Sequence, residues 1–126
     1  MSTAQTDRAG SRSVRVAAIQ ATPVFLDREA TVARACLLIA EAAALGARVI
    51  AFPEVWISGY PVWLDAAPGA ALWDHPPAKR AFARLVASAI SIPSAEVDRL
   101  GEATRRAGAY VVVGAHELGG STLYAS

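Results

Sequence analysis

A chain of 126 residues that is 54% hydrophobic and 18% charged carries enough apolar material for one domain-sized core, which excludes an intrinsically disordered protein. A formal net charge of +1, with arginines scattered along the chain, argues against nucleic acid or an anionic membrane as a partner. The single cysteine, Cys36, excludes an intrachain disulfide and a cysteine-built metal site, and no apolar run reaches the ~18 residues of a membrane span, so the sequence reads as cytoplasmic.

Residues 1–13 are rich in Ser, Thr, Gly and Arg and read as a disordered leader, leaving residues 14–126 as the folded portion. Residues 14–20, VRVAAIQ, alternate and then become continuously apolar, the pattern of a strand in a sheet covered by helices on both faces. Asp27 is placed to cap a helix that runs to about residue 45, with Gly46 as its stop. Val32, Ala33, Cys36, Leu37, Ala40, Ala43 and Ala44 recur at helical spacing and predict its inner face. A second strand over 49–52 follows at once, so the unit is β-α-β with parallel strands and a right-handed crossover.

Pro68-Gly69 and Pro76-Pro77 mark bends in a loop over 66–77. Residues 78–91 predict an amphipathic helix, with Phe82, Leu85, Val86, Ala89 and Ile90 opposite Lys79, Arg80, Arg84 and Ser88. Pro93 breaks it. Ser94 caps the next helix, which turns Val97, Leu100, Thr104 and Ala107 inward and ends at Gly108. Residues 110–115, YVVVGA, predict a third buried strand, and after the Gly119-Gly120 turn residues 122–124 predict its hairpin partner. The order β-α-β-α-α-β-β defines an α/β layer with helices on a sheet face.

The chemistry concentrates just after the second strand. Glu54 stands at the strand's exit, where ligands bind in α/β sheets and where a half-buried carboxylate can serve as a general base. Taken alone, such a residue is more often a solvated loop glutamate. Its neighbours argue otherwise, since Trp56, Tyr60 and Trp63 are three of the six Trp and Tyr residues of the chain and suit a pocket wall. Other constellations fail: the first strand is followed by Gln20-Ala21-Thr22-Pro23 in place of a Gly-rich phosphate loop, and neither a Walker loop nor a G-x-S-x-G elbow is present. His75 and His116 lack partners at ligand spacing, so no metal is expected, and Cys36 reads as a small packed hydrophobe on a helix.

The combination VAAIQATPV, then ARVIAFPE-VWISGYPVWLD, then AGAYVVVGAHE and TLY resembles the N-terminal part of the nitrilase, or carbon–nitrogen hydrolase, superfamily, over residues 14–124. FPE followed by GYP is the specific part of the resemblance, and the Trp-rich loop favours the nitrilase branch within it. The resemblance implies the N-terminal part of an α-β-β-α sandwich and a Glu, Lys and Cys catalytic set assisted by a second Glu. It assigns Glu54 as the general base that takes the thiol proton, Tyr60 as a pocket residue, and Trp56 and Trp63 as further substrate contacts. It also implies a small-molecule nitrile as substrate, a carboxylic acid and ammonia as products, no metal or organic cofactor, and a homo-oligomer at full length. In the family the Lys and a Cys-Trp-Glu segment follow the LY strand, whereas here Lys79 lies on a predicted surface helix and Cys36 precedes Leu37-Leu38. The chain is therefore expected to be an inactive fragment with one catalytic residue of the set. An amidase or carbamoylase of the same superfamily is the alternative enzyme, and a non-catalytic interaction fragment that co-assembles with full-length subunits is the alternative of another class.

Overall fold

The structure is a computed structural model that describes residues 13–72 and 74–126; the leader expected over 1–13 lies outside the described residues apart from Ser13. Three short strands, β1 (Val16–Ala18), β2 (Val49–Ala51) and β3 (Tyr110–Val112), form a parallel sheet in the order β1-β2-β3. Val16, Val49 and Tyr110 stand in one register row, and Ala18, Ala51 and Val112 in another. Parallel neighbours require crossovers, and helices supply them. Helix α1 (Arg28–Ala44) connects β1 to β2. The return to β3 runs through the single turn α2 (Trp63–Ala66), then α3 (Pro76–Ala87) and α4 (Ala95–Ala107).

The termini of these helices obey capping chemistry. Asp27 accepts from the Ala30 N–H at 2.9 Å, and Ser94 accepts from the Val97 N–H at 3.4 Å. Gly108 ends α4 in the left-handed region at φ 59°, which a residue without Cβ adopts at no steric cost. α3 starts two residues before the predicted helix, because Pro76 and Pro77 occupy the first turn, where their missing N–H groups cost nothing. The side chain of His75 caps that turn by accepting from the Ala78 N–H at 3.2 Å.

The core lies between the sheet and the pair α1 and α4. Val32, Ala35, Ile39 and Ala42 of α1 pack with Ile50, Ala103 and the inward residues Val97, Leu100 and Ala107 of α4. This corrects the predicted face of α1, since Ala33, Ala40 and Ala44 are exposed and Leu37 is 65% exposed. The helix is turned by about one residue, roughly 100°. An alanine-rich helix has a shallow hydrophobic asymmetry, so two stripes compete, and the branched side chains of Val32 and Ile39 decide for the buried one. Thr31, fully buried beside them, donates to the Val24 carbonyl at 2.8 Å and accepts from its N–H at 3.1 Å, so its hydroxyl is satisfied.

Only one face of the sheet is covered. Ile50 is fully buried, while Val16, Tyr110 and Val112, on the opposite face, are 68%, 81% and 63% exposed. The strands were expected to be buried on both faces; among the described residues, helices pack on one face alone.

The third strand is also shorter than predicted. β3 stops at Val112, and beyond Gly114 the chain forms a single parallel bridge from Ala115 to Ile57 and then β4 (His116–Gly119). The hairpin partner β5 (Thr122–Ala125) pairs antiparallel with β4 and not with β3. Gly114 explains the break, because a Cβ there would lie 2.3 Å from the Pro53 carbonyl oxygen and 2.6 Å from the Val55 nitrogen, both backbone atoms. Gly114→Ala should destabilise the chain by about 1–3 kcal/mol, the usual cost of overpacking against atoms that cannot rotate away. Gly101→Ala, in mid-helix with nothing within 4 Å, should stabilise it by about 0.5–1 kcal/mol. Urea unfolding of the two variants beside the parent measures both shifts.

Candidate functional site at the exit of the central strand

β2 is the central strand, and Phe52 to Glu54 are its exit. The Phe52 N–H continues the ladder to the Val112 carbonyl at 2.9 Å, and Pro53, with no N–H to pair, ends it. Glu54 follows on a turn whose backbone is far from relaxed. Val55 has φ 43° and Ser58 φ 85°, both in the left-handed region that a β-branched residue rarely enters.

Surrounding contacts over-determine that turn. Ile57 donates to the Gly114 carbonyl at 3.0 Å and accepts from the His116 N–H at 3.3 Å. Ser58, fully buried, donates its hydroxyl to the Ser88 carbonyl at 2.7 Å, and its own carbonyl accepts from the Leu26 N–H at 3.0 Å. Gly59, at φ 88°, lies so close to the Phe25 ring that a Cβ would come within 2.4 Å of it. Val55, Trp56 and Ile57 are all buried at 3% exposure or less. The result is a stiff turn with its side chains locked below and the Glu54 carboxylate exposed above. A half-buried carboxylate was expected; the open sheet face beside it leaves it in solvent.

The three aromatic residues of this stretch do not converge on one wall. Trp56 is 2% exposed, packs on Phe52 with ring centroids 4.9 Å apart, and donates its indole N–H to the Ala21 carbonyl at 2.7 Å. It ties the exit of β2 to the exit of β1. Trp63 is gripped edge-on between Phe25 and Phe82, at centroid distances of 5.9 and 5.8 Å. Tyr60, by contrast, is 54% exposed. Of the residues named from the sequence, Glu54 and Tyr60 are the two that present side chains to solvent on this turn.

Sequence reasoning missed the role of His116. It is 7% exposed, and its Nδ1 is buried without a hydrogen-bond partner among the described residues. Burial lowers the proton affinity of its imidazole, with the Ile57 backbone and the Glu54 carboxylate acting in the opposite sense. The isolated Gly114 within an apolar run was the available signal that another backbone passes close here. Cys36 lies on α1, its Sγ 3.8 Å from the Arg99 carbonyl of α4, and Lys79 pairs with Asp74 at 2.6 Å. Among the described residues no group of three or more His, Cys, Asp or Glu could hold a metal ion, and no helix is long and apolar enough to cross a membrane.

A parallel sheet backed by helices, with a carboxylate on a rigid turn at the exit of its central strand, defines an α/β protein of the type that meets small molecules beyond its strand ends. The sequence profile of the carbon-nitrogen hydrolase family matches residues 15–126, and the chain belongs to that family. It is 42% identical over 113 residues to a nitrilase of Pseudomonas syringae pv. syringae (strain B728a), covering 88% of this chain and 31% of that protein. It is 38% identical over 113 residues to an arylacetonitrilase of Aspergillus oryzae (strain ATCC 42149 / RIB 40), covering 90% and 32% respectively. An aliphatic nitrilase of Sinorhizobium fredii (strain HH103) is 42% identical over 115 residues, covering 87% and 35%. The chain thus spans about a third of the length of these relatives.

His116 also makes stability depend on pH. A free imidazole takes its proton near pH 6.5, whereas burial depresses that value in the folded chain. As pH falls below 6.5 the unfolded chain binds a proton that the folded one resists, so folding stability should be full above that pH and decline beneath it. Urea midpoints between pH 7.5 and about 5.5 should fall in the parent and fall less steeply in His116→Gln.

Proposed function

We propose that residues 14–126 form the N-terminal part of a nitrilase-type domain, in which Glu54 acts as the general base for hydrolysis of a nitrile to a carboxylic acid and ammonia. The observation that carries this reading is the placement of Glu54: an accessible carboxylate on a stiff, strained turn at the exit of the central strand, within a chain matched by the family profile over residues 15–126. Strain held by packing, as at Val55 and Ser58, is a common mark of a functional turn. The nitrilases among its relatives support the nitrile as the substrate class.

In this scheme Glu54 accepts the proton of a cysteine thiol, and the thiolate attacks the nitrile carbon. The C≡N nitrogen takes up protons as the thioimidate forms. One water adds to that carbon, ammonia leaves, and a second water releases the carboxylic acid and returns the thiol. A lysine ammonium stabilises the negative charge that develops on the way. Neither Cys36, packed between α1 and α4, nor Lys79, paired with Asp74, suits the nucleophile or the lysine of this scheme. Tyr60 lines the approach to Glu54, Trp56 supports the turn from below, and Trp63 stands farther along the same loop. The open sheet face favours self-association of this chain by itself, a homo-oligomer at full length rests on the family resemblance alone, and the lone Cys36 suits a reducing cytoplasm.

A chimera tests the role of Glu54. Residues 14–126 replace the matching segment of the Pseudomonas syringae nitrilase, which supplies the remaining two-thirds of the domain, and ammonia release is followed on panels of nitriles and amides. The chimera should hydrolyse nitriles, and Glu54→Gln should lower kcat by about 10³-fold or more with little change in thermal midpoint. A Glu54→Gln chimera within tenfold of its parent would remove the base from Glu54. Faster turnover of amides than of nitriles would favour the amidase or carbamoylase reading.

A further inference from the structure

β1 is an edge strand, and its outer side is bare. The Arg15 carbonyl accepts from the Arg48 N–H at 2.8 Å and the Ile19 N–H donates to the Ala51 carbonyl at 2.8 Å, so the odd-numbered residues spend their backbone groups on β2. Backbone groups alternate sides along a strand, which turns the N–H and C=O of Val16 and Ala18 away from β2. Among the described residues nothing pairs with them. Beside this edge runs a groove of about 350 Å³ between β1 and α1, with Ile19, Leu38 and Leu45 as apolar walls and Arg15 and Glu41 as its charges. The Arg15 guanidinium donates to the Leu45 carbonyl, which holds it at the start of β1. Glu41 is exposed and has no ion-pair partner among the described residues.

We propose that this edge and its groove are the contact surface of a two-fold dimer, in which a second copy of the chain adds its β1 antiparallel to the first. The backbone supplies the register. Centred on Ala17, the pairing sets each Val16 opposite the second copy's Ala18, and the two residues exchange both of their N–H···O=C bonds. The helices agree with it. α1 runs antiparallel to β1, so Leu45 stands beside Arg15 and Leu38 lies towards Ile19. The two-fold therefore brings each Leu38 against the second copy's Leu45, and leucine fills both grooves. With α1 over β1 and β2 and adjacent strands about 4.8 Å apart, the two α1 axes come to lie about 10 Å apart, the spacing of packed helices. Charge is self-complementary as well, since the two Glu41 carboxylates approach the axis and an Arg15 flanks them on either side. A strand from an unrelated chain would have to bring the leucines, both charges and free backbone groups together; a second copy brings them by symmetry. The open sheet face offers apolar area but no register, and it stays on one side of the joined sheet.

Sedimentation equilibrium of the 126-residue chain should show a monomer–dimer equilibrium. Hydrogen exchange locates the contact: the Val16 and Ala18 amides should exchange more slowly as concentration rises, while the Ile19 amide, bonded to Ala51, is protected at every concentration. Glu41→Arg and Arg15→Glu should each weaken the dimer by about tenfold or more, because each gathers charge of one sign at the axis. An equimolar mixture of these two variants should regain it, as the signs then oppose across the axis. Ala18→Pro removes an outward N–H and no bond of the existing ladder, and should abolish the dimer. Val112→Lys, on the open face, should leave it intact. Circular dichroism reports whether each variant is folded, and where Ala18→Pro or Arg15→Glu is not, the amide exchange of the parent decides. A monomer at every concentration, exchange at Val16 and Ala18 that ignores concentration, or a dimer lost in Val112→Lys and kept in folded Ala18→Pro would overturn the proposal. No arm involves a nitrile or Glu54, so the result is independent of the function proposed above.

Discussion

The position of Glu54 depends on one contact between two stretches of backbone. At Gly114 the chain leaving β3 passes so close to Pro53, Glu54 and Val55 that a Cβ would meet the Glu54 Cα at 2.8 Å. Side chains can rotate away from a crowded neighbour, but main chains locked in a parallel ladder cannot. The Ile57 and Gly114 pairing on one side and the Phe52 and Val112 pairing on the other hold the crossing in place. The catalytic candidate is thus set by main-chain geometry, while its own side chain is left free of structural duty. That division of labour suits a base, which must be oriented and still reachable. It also accounts for Val55, whose positive φ costs on the order of 1–3 kcal/mol and is tolerated because its side chain is buried at 3% exposure.

The helices stabilise this crossing from behind. Arg28, at the start of α1, donates to the Ala89 carbonyl beyond α3 at 2.5 Å and pairs with Glu96 in the first turn of α4 at 2.8 Å. One guanidinium therefore joins three helical segments, and its fork geometry permits both contacts at once. The Glu96 carboxyl is held below its ordinary range by a hydrogen bond from its own backbone and, to a smaller extent, by Arg28. The other ion pairs, such as Arg99 with Glu29 and Arg105 with Glu102, lie on exposed surfaces, where such pairs contribute little. The Ser58 and Ser88 hydroxyls continue the link inward, from the end of α3 to the strained turn.

Much of this architecture was legible in the sequence because it is local. Asp27, Ser94 and Gly108 sit where capping chemistry puts them, and the short β-α-β joints dictate parallel strands. The FPE and GYP segments carried the family resemblance, and the profile match over residues 15–126 agrees with it. What escaped was non-local or degenerate. The inner face of α1 could not be chosen from alanines that differ so little from one another. The break in the third strand came from a neighbouring backbone that no periodicity records, although Gly114 hinted at it. Trp56 and Trp63 looked alike as loop aromatics, yet one satisfies its indole on Ala21 and the other has no hydrogen-bond partner for its indole among the described residues. His75 read as a loop residue because histidine is an unusual cap, and only the proximity of the Ala78 N–H reveals the role.

The open face of the sheet and the exposure of Glu54 have a common origin. Val16, Tyr110 and Val112 form an apolar surface on the side away from the helices, and Ala51, in register between Ala18 and Val112, continues directly to the exit that bears Glu54. Strands that are apolar on both faces ask for two covering layers, and helices α1 and α4 provide one. Any layer that covers the remaining face must border the exit of β2, so it would exclude water from Glu54 in the same step that it buries the sheet. Electrostatic interactions strengthen as water leaves. Under the function proposed above, hydrophobic completion of a sandwich and chemical completion of a site at Glu54 would be one event, driven by the free energy of burying the sheet and felt at the carboxylate.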